Sequence, residues 1–221
     1  MGYRAIALSQ VDGAGGESIG HDLAERLSFG YLNEAIISRV ARDYGVTTAA
    51  VAEAERRKSF LSRVAEMAAL GSMAGVVPDA APYIFDETDA LLSMIREAVR
   101  DAAARGDVVL VAHAACYACA DAPDVLRVCV TAPLSVRAAR VAAERGIDEK
   151  EAAKLLRRSD VGRAAYLKRV YGVEEESPSD YDVVVNTERL SMDDAVGLVT
   201  WLVQSRSAPT PSADEPVGAS G

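Results

Sequence analysis

The chain has 221 residues, half of them hydrophobic but only 5% aromatic, so alanine, valine and leucine must fill its core. A net charge of −9 argues against general nucleic-acid binding, and no apolar run approaches the length needed to cross a bilayer. With no charged segment followed by an apolar leader at the N-terminus, and three cysteines, an odd number suited to a reduced compartment, the expected setting is the cytoplasm.

The first predicted element is an apolar strand over 3–9. It runs into Asp12-Gly13-Ala14-Gly15-Gly16-Glu17-Ser18, after which Ile19, Leu23 and Leu27 mark a helix. Glycines let backbone N–H groups curl around an anion, and the start of a helix adds partial positive charge. Gly13, Ala14, Gly15, Gly16, Glu17 and Ser18 are therefore candidates for holding a phosphate chain. The P-loop pattern asks for lysine where Glu17 stands, although Ser18 occupies the place of the hydroxyl that binds Mg²⁺. Glu17 either faces the phosphates, where it opposes catalysis, or points away and favours its own helix start. Asp12 either binds Mg²⁺ through water or shapes the turn.

A weaker strand is expected over 29–32, and residues 34–75 carry a helical pattern long enough to form an insertion over the carboxyl edge of a sheet. A helix over 88–105 closes on Gly106, and a buried strand follows over 108–112. His113, Cys116 and Cys119 then form an H-x₂-C-x₂-C run with Cys129 further on. Zinc accepts such ligands, but small apolar residues and free cysteines are also ordinary core filler.

Strands are expected over 126–131 and 181–186, with Pro133 ahead of one helix and Ser191 capping the last. Four or five short Val/Leu/Ile runs separated by helices predict a doubly wound parallel sheet. Residues 137–169 hold ten Lys/Arg against five Asp/Glu, a basic segment on an acidic protein. It acts either as a funnel for a small polyanion or as a solvated, ion-paired helix face. Beyond Val203 periodicity fades, and 205–221 reads as a disordered tail.

The order of these segments resembles the cytidylate kinase-like family of P-loop nucleoside monophosphate kinases. The residues that carry the likeness are Ala5 to Ser9 with Gly13 to Gly16, Thr131-Ala132-Pro133 with Arg137 and Arg140, Arg157-Arg158-Ser159-Asp160 with Arg163, and Tyr181 to Thr187. The resemblance implies a three-layer α/β fold of P-loop NTPase type over 1–204, with a five-stranded parallel sheet, the helical insertion on the acceptor side and a helical lid over 148–172. It also implies ATP and Mg²⁺ as cofactors. Backbone groups from Gly13 to Glu17 would cradle the donor phosphates, with Ser18 and Asp12 toward the metal. Arg157, Arg158 and Arg163 would neutralise the transferring group, and Asp160 would orient one of these lid guanidiniums. Arg137 and Arg140 would steady phosphates from beneath, with Glu34 and His113 near the acceptor.

Two departures weaken that implication. Glu17 reverses the usual charge, and Ala112-His113-Ala114 replaces the arginine-bearing run that relatives use for the acceptor. Two expectations follow: transfer of the γ-phosphoryl of ATP to a small phosphorylated acceptor such as a nucleoside monophosphate, or a degenerate protein that binds nucleotide or another anion without transfer. A third, a scaffold that docks protein partners through its charged segments, predicts no nucleotide effect. The sequence leaves oligomeric state open.

Overall fold

The computed structural model describes residues 2–33, 89–112 and 114–207. The predicted insertion over 34–75, Glu34 and His113 lie outside the described residues. Five strands form one parallel sheet: β1 (Ala5–Gln10), β2 (Gly30–Asn33), β3 (Val108–Val111), β4 (Val125–Thr131) and β5 (Val183–Asn186), in spatial order β2-β3-β1-β4-β5. The parallel α/β sheet read from the sequence is therefore present, including its weakest strand.

Alternation along β1 decides what each face of the sheet carries. Ala5 and Ala7 point to one side, where α2 (Asp89–Arg105) and α3 (Ala115–Ala118) pack. Ile6 and Leu8 point to the other, against α1 (Gly16–Leu27) and α6 (Met192–Ser207). Both faces of β1 are sealed, so its apolar run is continuous rather than alternating with polar residues. α1 comes close enough to the sheet that a Cβ on Gly20 would fall 2.3 Å from Val111 Cγ2.

Local chemistry sets the helix ends. α2 stops where Gly106 adopts φ 81° and returns its N–H to the Ala103 carbonyl at 3.0 Å. α6 begins with a reciprocal cap: the Ser191 hydroxyl takes the Asp194 N–H at 3.1 Å, and the Asp194 carboxylate takes the Ser191 N–H at 3.1 Å. The helix continues to Ser207, so 205–207 belong to the fold rather than to the expected tail. The remainder, 208–221, lies outside the described residues.

β5 is locked to β4 by one pair. Asp182 accepts the backbone N–H and two guanidinium N–H groups of Arg127, at 2.8, 3.3 and 2.9 Å. Partial burial alone would raise the Asp182 carboxyl, but those Arg127 hydrogen bonds outweigh it and hold the group below its ordinary value.

Cys116, Cys119 and Cys129 are free, buried thiols in the core between the sheet, α2 and α3. The Cys116 Sγ donates to the Ala7 carbonyl at 3.2 Å, which requires the protonated form. Burial pushes Cys116 and Cys129 up to about 12 and Cys119 to about 11, from an ordinary 9.0. The Cys116 Sγ also lies 3.4 Å from the Val128 carbonyl, so the core-filler reading fits its contacts.

A pH dependence follows. Below about pH 8 the thiols stay protonated in both the folded and unfolded chain, and their contribution to stability is complete. As pH rises past 9.0 the unfolded chain loses thiol protons while the fold retains them until about 11 to 12, so stability falls across that window. Chemical denaturation between about pH 8 and pH 10.5 should show a declining midpoint, with a shallower decline in Cys129→Ala. Equal slopes in the two proteins would contradict the buried-thiol account.

Candidate functional site

β1 delivers the chain into a loop over 11–15 in which Gly13 and Gly15 have φ of 76° and 90°. Side chains avoid those backbone angles, and a Cβ on Gly15 would fall 2.1 Å from Met192 Cε. The first intrahelical bond of α1 runs from Ile19 N–H to Gly15 C=O at 3.1 Å. The N–H groups of Gly16, Glu17 and Ser18 therefore precede the helical ladder, at its positive end.

The orientation of this loop is fixed from behind. Arg137 and Arg140 project from α4 (Leu134–Arg145), the helix after β4, and Thr187 follows β5. Arg137 Nη1 donates to the Asp12 carbonyl at 3.1 Å. Arg140 Nη1 reaches the Ala14 carbonyl at 3.3 Å and the Gly13 carbonyl at 3.5 Å. The Thr187 hydroxyl donates to the Ala14 carbonyl at 2.8 Å, and Arg140 holds Thr187 through its hydroxyl at 2.8 Å and its carbonyl at 2.6 Å. Carbonyl and N–H of a trans peptide point in opposite directions. With the carbonyls of residues 12, 13 and 14 drawn backwards, the N–H groups of Gly13 and Gly15 turn to the front; that of Ala14 closes the turn on the Val11 carbonyl at 3.1 Å. The result is a concave set of donors backed by two guanidinium groups, suited to an anion.

Arg137 and Arg140 thus act on the loop itself, one layer behind the place where phosphates were expected to touch them. Arg137 is 6% exposed and also donates to the Ala132 carbonyl at 3.0 Å. Its two terminal nitrogens grip the Asp160 carboxylate at 3.0 and 2.8 Å. The expectation that Asp160 orients a lid arginine is corrected: its partner is Arg137. Asp12 accepts a hydrogen bond from the Ser159 hydroxyl, so loop and helix are tied at two adjacent points.

The segment expected as a lid is one helix, α5 (Glu149–Tyr171), opened by the Asp148 carboxylate on Lys150 N–H at 2.8 Å and closed by Gly172 at φ 69°. Ala152 and Leu156 pack with Ala138, Val141 and Ala142 of α4, while Tyr166 and Leu167 pack with Ala114. That buried face decides where each arginine goes. Arg163 turns inward, 3% exposed, and both Nε and Nη2 reach the Glu176 carboxylate, with Tyr181 alongside. Tyr117 extends the cluster by donating to Asp180 at 2.9 Å; burial, followed by that hydrogen bond, raises its hydroxyl well above the ordinary tyrosine range. Arg157 and Arg158 point the other way and line an exposed face with Lys154 and Val161. Among the described residues they make no hydrogen bond or ion pair. The three arginines are not gathered over the glycine loop.

Glu17 occupies a position that spacing alone left open. Its Oε2 accepts the Tyr31 hydroxyl and the Asn33 Nδ2 at 3.3 Å. The carboxylate therefore leans toward the C-terminal end of β2 instead of folding back on its own helix. Ser18 is exposed one residue further along α1. Sequence reasoning missed the roles of Tyr31, Asn33, Glu176 and the Thr187 hydroxyl. Thr187 lay inside a quoted segment, whereas nothing local marks Glu176 as the partner of Arg163.

Glycines at positive φ between the central strand and the first helix, on a sheet ordered β2-β3-β1-β4-β5, define an α/β protein with a glycine loop at the carboxyl edge of its central strand. The chain belongs to the cytidylate kinase-like family, whose model matches residues 5–189. It is similar to the cytidylate kinase of Methanopyrus kandleri, 35% identical over 108 residues that make up 45% of this chain and 56% of that protein. The cytidylate kinase of Ignicoccus hospitalis is 39% identical over 90 residues, 40% of this chain and 51% of that one. The chain thus spans about half the length of the curated relatives it matches. An uncharacterized protein from Eubacterium ventriosum superposes with a TM-score of 0.65 at 18% identity, covering 91% of this chain and 98% of that one, which shows a shared fold.

The geometry separates two groups of arginines by stability. Arg137→Met removes the guanidinium from the Asp160 carboxylate and from the Asp12 and Ala132 carbonyls, and Arg163→Met leaves Glu176 with the Tyr181 hydroxyl but no cation; each should cost about 1–3 kcal/mol. Arg157→Ala and Arg158→Ala should stay within about 0.5 kcal/mol of the parent. Urea denaturation distinguishes the groups, and equal losses across all four would refute the inward and outward assignment.

Proposed function

We propose that the glycine loop holds the phosphate tail of a nucleoside triphosphate and that the protein transfers the terminal phosphoryl group to a small acceptor. The observation that carries this reading is the turning of the Asp12, Gly13 and Ala14 carbonyls onto Arg137, Arg140 and Thr187. Phosphoryl transfer asks the protein mainly for positioning and for positive potential around the phosphates, and this loop supplies both without a lysine. Arg137 and Arg140 act through the peptide units whose negative ends they bind. The charge of Arg140 favours an anion on the opposite side, whereas that of Arg137 is met by Asp160.

The donor set also fits the cofactors implied by the family. Backbone N–H groups of Gly13, Gly15, Gly16 and Glu17 would hold the phosphates of ATP, and the exposed Ser18 hydroxyl would serve Mg²⁺. The metal would neutralise charge between neighbouring phosphate oxygens. Relatives named cytidylate kinase make a cytidine nucleotide the first acceptor to try.

A second reading, binding without transfer, is supported by two particular contacts. Glu17 presents a carboxylate beside the cradle, and Arg163 is already neutralised by Glu176. In this conformation none of Arg157, Arg158 and Arg163 faces the loop, so the transfer reading requires them to move or Arg137 and Arg140 to suffice.

Calorimetry with Mg²⁺-ATP, followed by assay of ADP formation with nucleoside monophosphates and nucleosides, separates the readings. Transfer predicts binding and acceptor-dependent ADP; binding without ADP supports the second reading, and no binding overturns both. Saturation at about 100 times Kd should stabilise the fold by about 2.7 kcal/mol. Gly15→Ala, strained at φ 90° and crowded by Met192, should lose that stabilisation. A Gly15→Ala protein that still gains it would place the ligand elsewhere.

A further inference from the structure

We propose that Glu17 selects an acceptor whose reacting atom is a hydroxyl oxygen, and rejects one whose reacting atom is a phosphate oxygen. The inference rests on the transfer reading above and narrows its acceptor. Glu17 is the second residue of α1, directly after the last glycine of the loop. Its carboxylate extends over the carboxyl edge toward β2, where Tyr31 is 7% and Asn33 9% exposed. Both neighbours donate to the same oxygen, Oε2. The other oxygen, Oε1, makes no hydrogen bond among the described residues.

Three features follow from that arrangement. The carboxylate is fixed by two side chains from an adjacent element, so its position does not depend on its own rotamer freedom. It lies on the flank of the loop formed by β3 and β2, opposite the flank where Arg137, Arg140 and Thr187 bind the carbonyls. The donor cradle is thus positive on one side and negative on the other. A phosphate acceptor arriving on the negative side meets like charge in a partly desolvated site, whereas a hydroxyl meets a hydrogen-bond acceptor.

The chemistry balances with groups already named. A hydroxyl of the acceptor donates to Glu17 Oε1, and its oxygen forms a bond to the γ-phosphorus of ATP. The bond between that phosphorus and the β–γ bridging oxygen breaks, ADP leaves, and the hydroxyl proton passes to the carboxylate. A positioned base of this kind typically accelerates transfer by about 10²–10⁴-fold. Tyr31 and Asn33 are positioning residues that hold the carboxylate in place.

The test compares cytidine, which offers a hydroxyl, with CMP, which offers a phosphate, using the full chain and Mg²⁺-ATP. Water serves as the hydroxyl acceptor if cytidine is not turned over. The expected result is kcat/KM at least about tenfold higher for the hydroxyl acceptor than for CMP. Glu17→Gln should then lower kcat for the hydroxyl about 100-fold, while Mg²⁺-ATP binds no more weakly than to the parent. Glu17→Lys should raise the use of CMP relative to cytidine. Preference for CMP in the parent, or unchanged hydroxyl transfer in Glu17→Gln, overturns the inference while leaving phosphoryl transfer intact. Absence of Mg²⁺-ATP binding, or of transfer to any acceptor including water, overturns the transfer reading and the inference with it.

Discussion

Three backbone carbonyls pulled onto Arg137, Arg140 and Thr187 set the character of the site. Without them the loop after β1 would be a glycine turn with no preferred direction for its dipoles. The sheet order makes the contact possible. β4 and β5 lie on one side of β1, so α4 and Thr187, which follow their carboxyl ends, arrive together at the back of the loop. β3 and β2 lie on the other side and bring Tyr31 and Asn33 to Glu17. The loop is held between a basic flank and an acidic one. Strand order, more than any single residue, produces that polarity.

The same constraint explains the helix after α4. Asp160 and Ser159 sit where α5 passes the loop, and their contacts with Arg137 and Asp12 fix its rotation about its axis. Once that rotation is set, Arg163 must face the core and Arg157 and Arg158 must face outward. A buried guanidinium needs a partner, which Glu176 supplies from the segment leading to β5. Much of the apparent positive charge of 137–169 is therefore met within the fold, by Asp160, by Glu176, and by Glu174 on Lys168 at 2.6 Å. The basic segment is in part structural, while Arg157 and Arg158 carry charge on the outer face of α5 with no ion-pair partner among the described residues.

Much of the fold was legible because local chemistry specified it. Gly106 and Ser191 marked helix ends by their own conformational and capping preferences, and the Val-rich runs could only be strands sealed on both faces. Family resemblance placed the glycine loop and the two arginines of α4. Side-chain direction was not legible. Arg157, Arg158 and Arg163 share one helix, and spacing does not say which way that helix is turned until its buried face is known. Glu17 likewise finds its partners 14 and 16 residues away, on a strand two places across the sheet. Glu176 carries no local signal of pairing with Arg163, 13 residues earlier. These contacts depend on tertiary placement, and Arg163, read as ligand-facing, is bound by the protein itself.

The central claim is that the loop presents its N–H groups to a phosphate chain while its carbonyls are held from behind. Amide NMR during titration with Mg²⁺-ATP tests it most directly. The account predicts that the largest shifts fall on Gly13, Gly15, Gly16, Glu17 and Ser18, and that Arg140→Met diminishes them together. Shifts confined to the outer face of α5, around Lys154, Arg157 and Arg158, with the glycine amides unmoved, would contradict it.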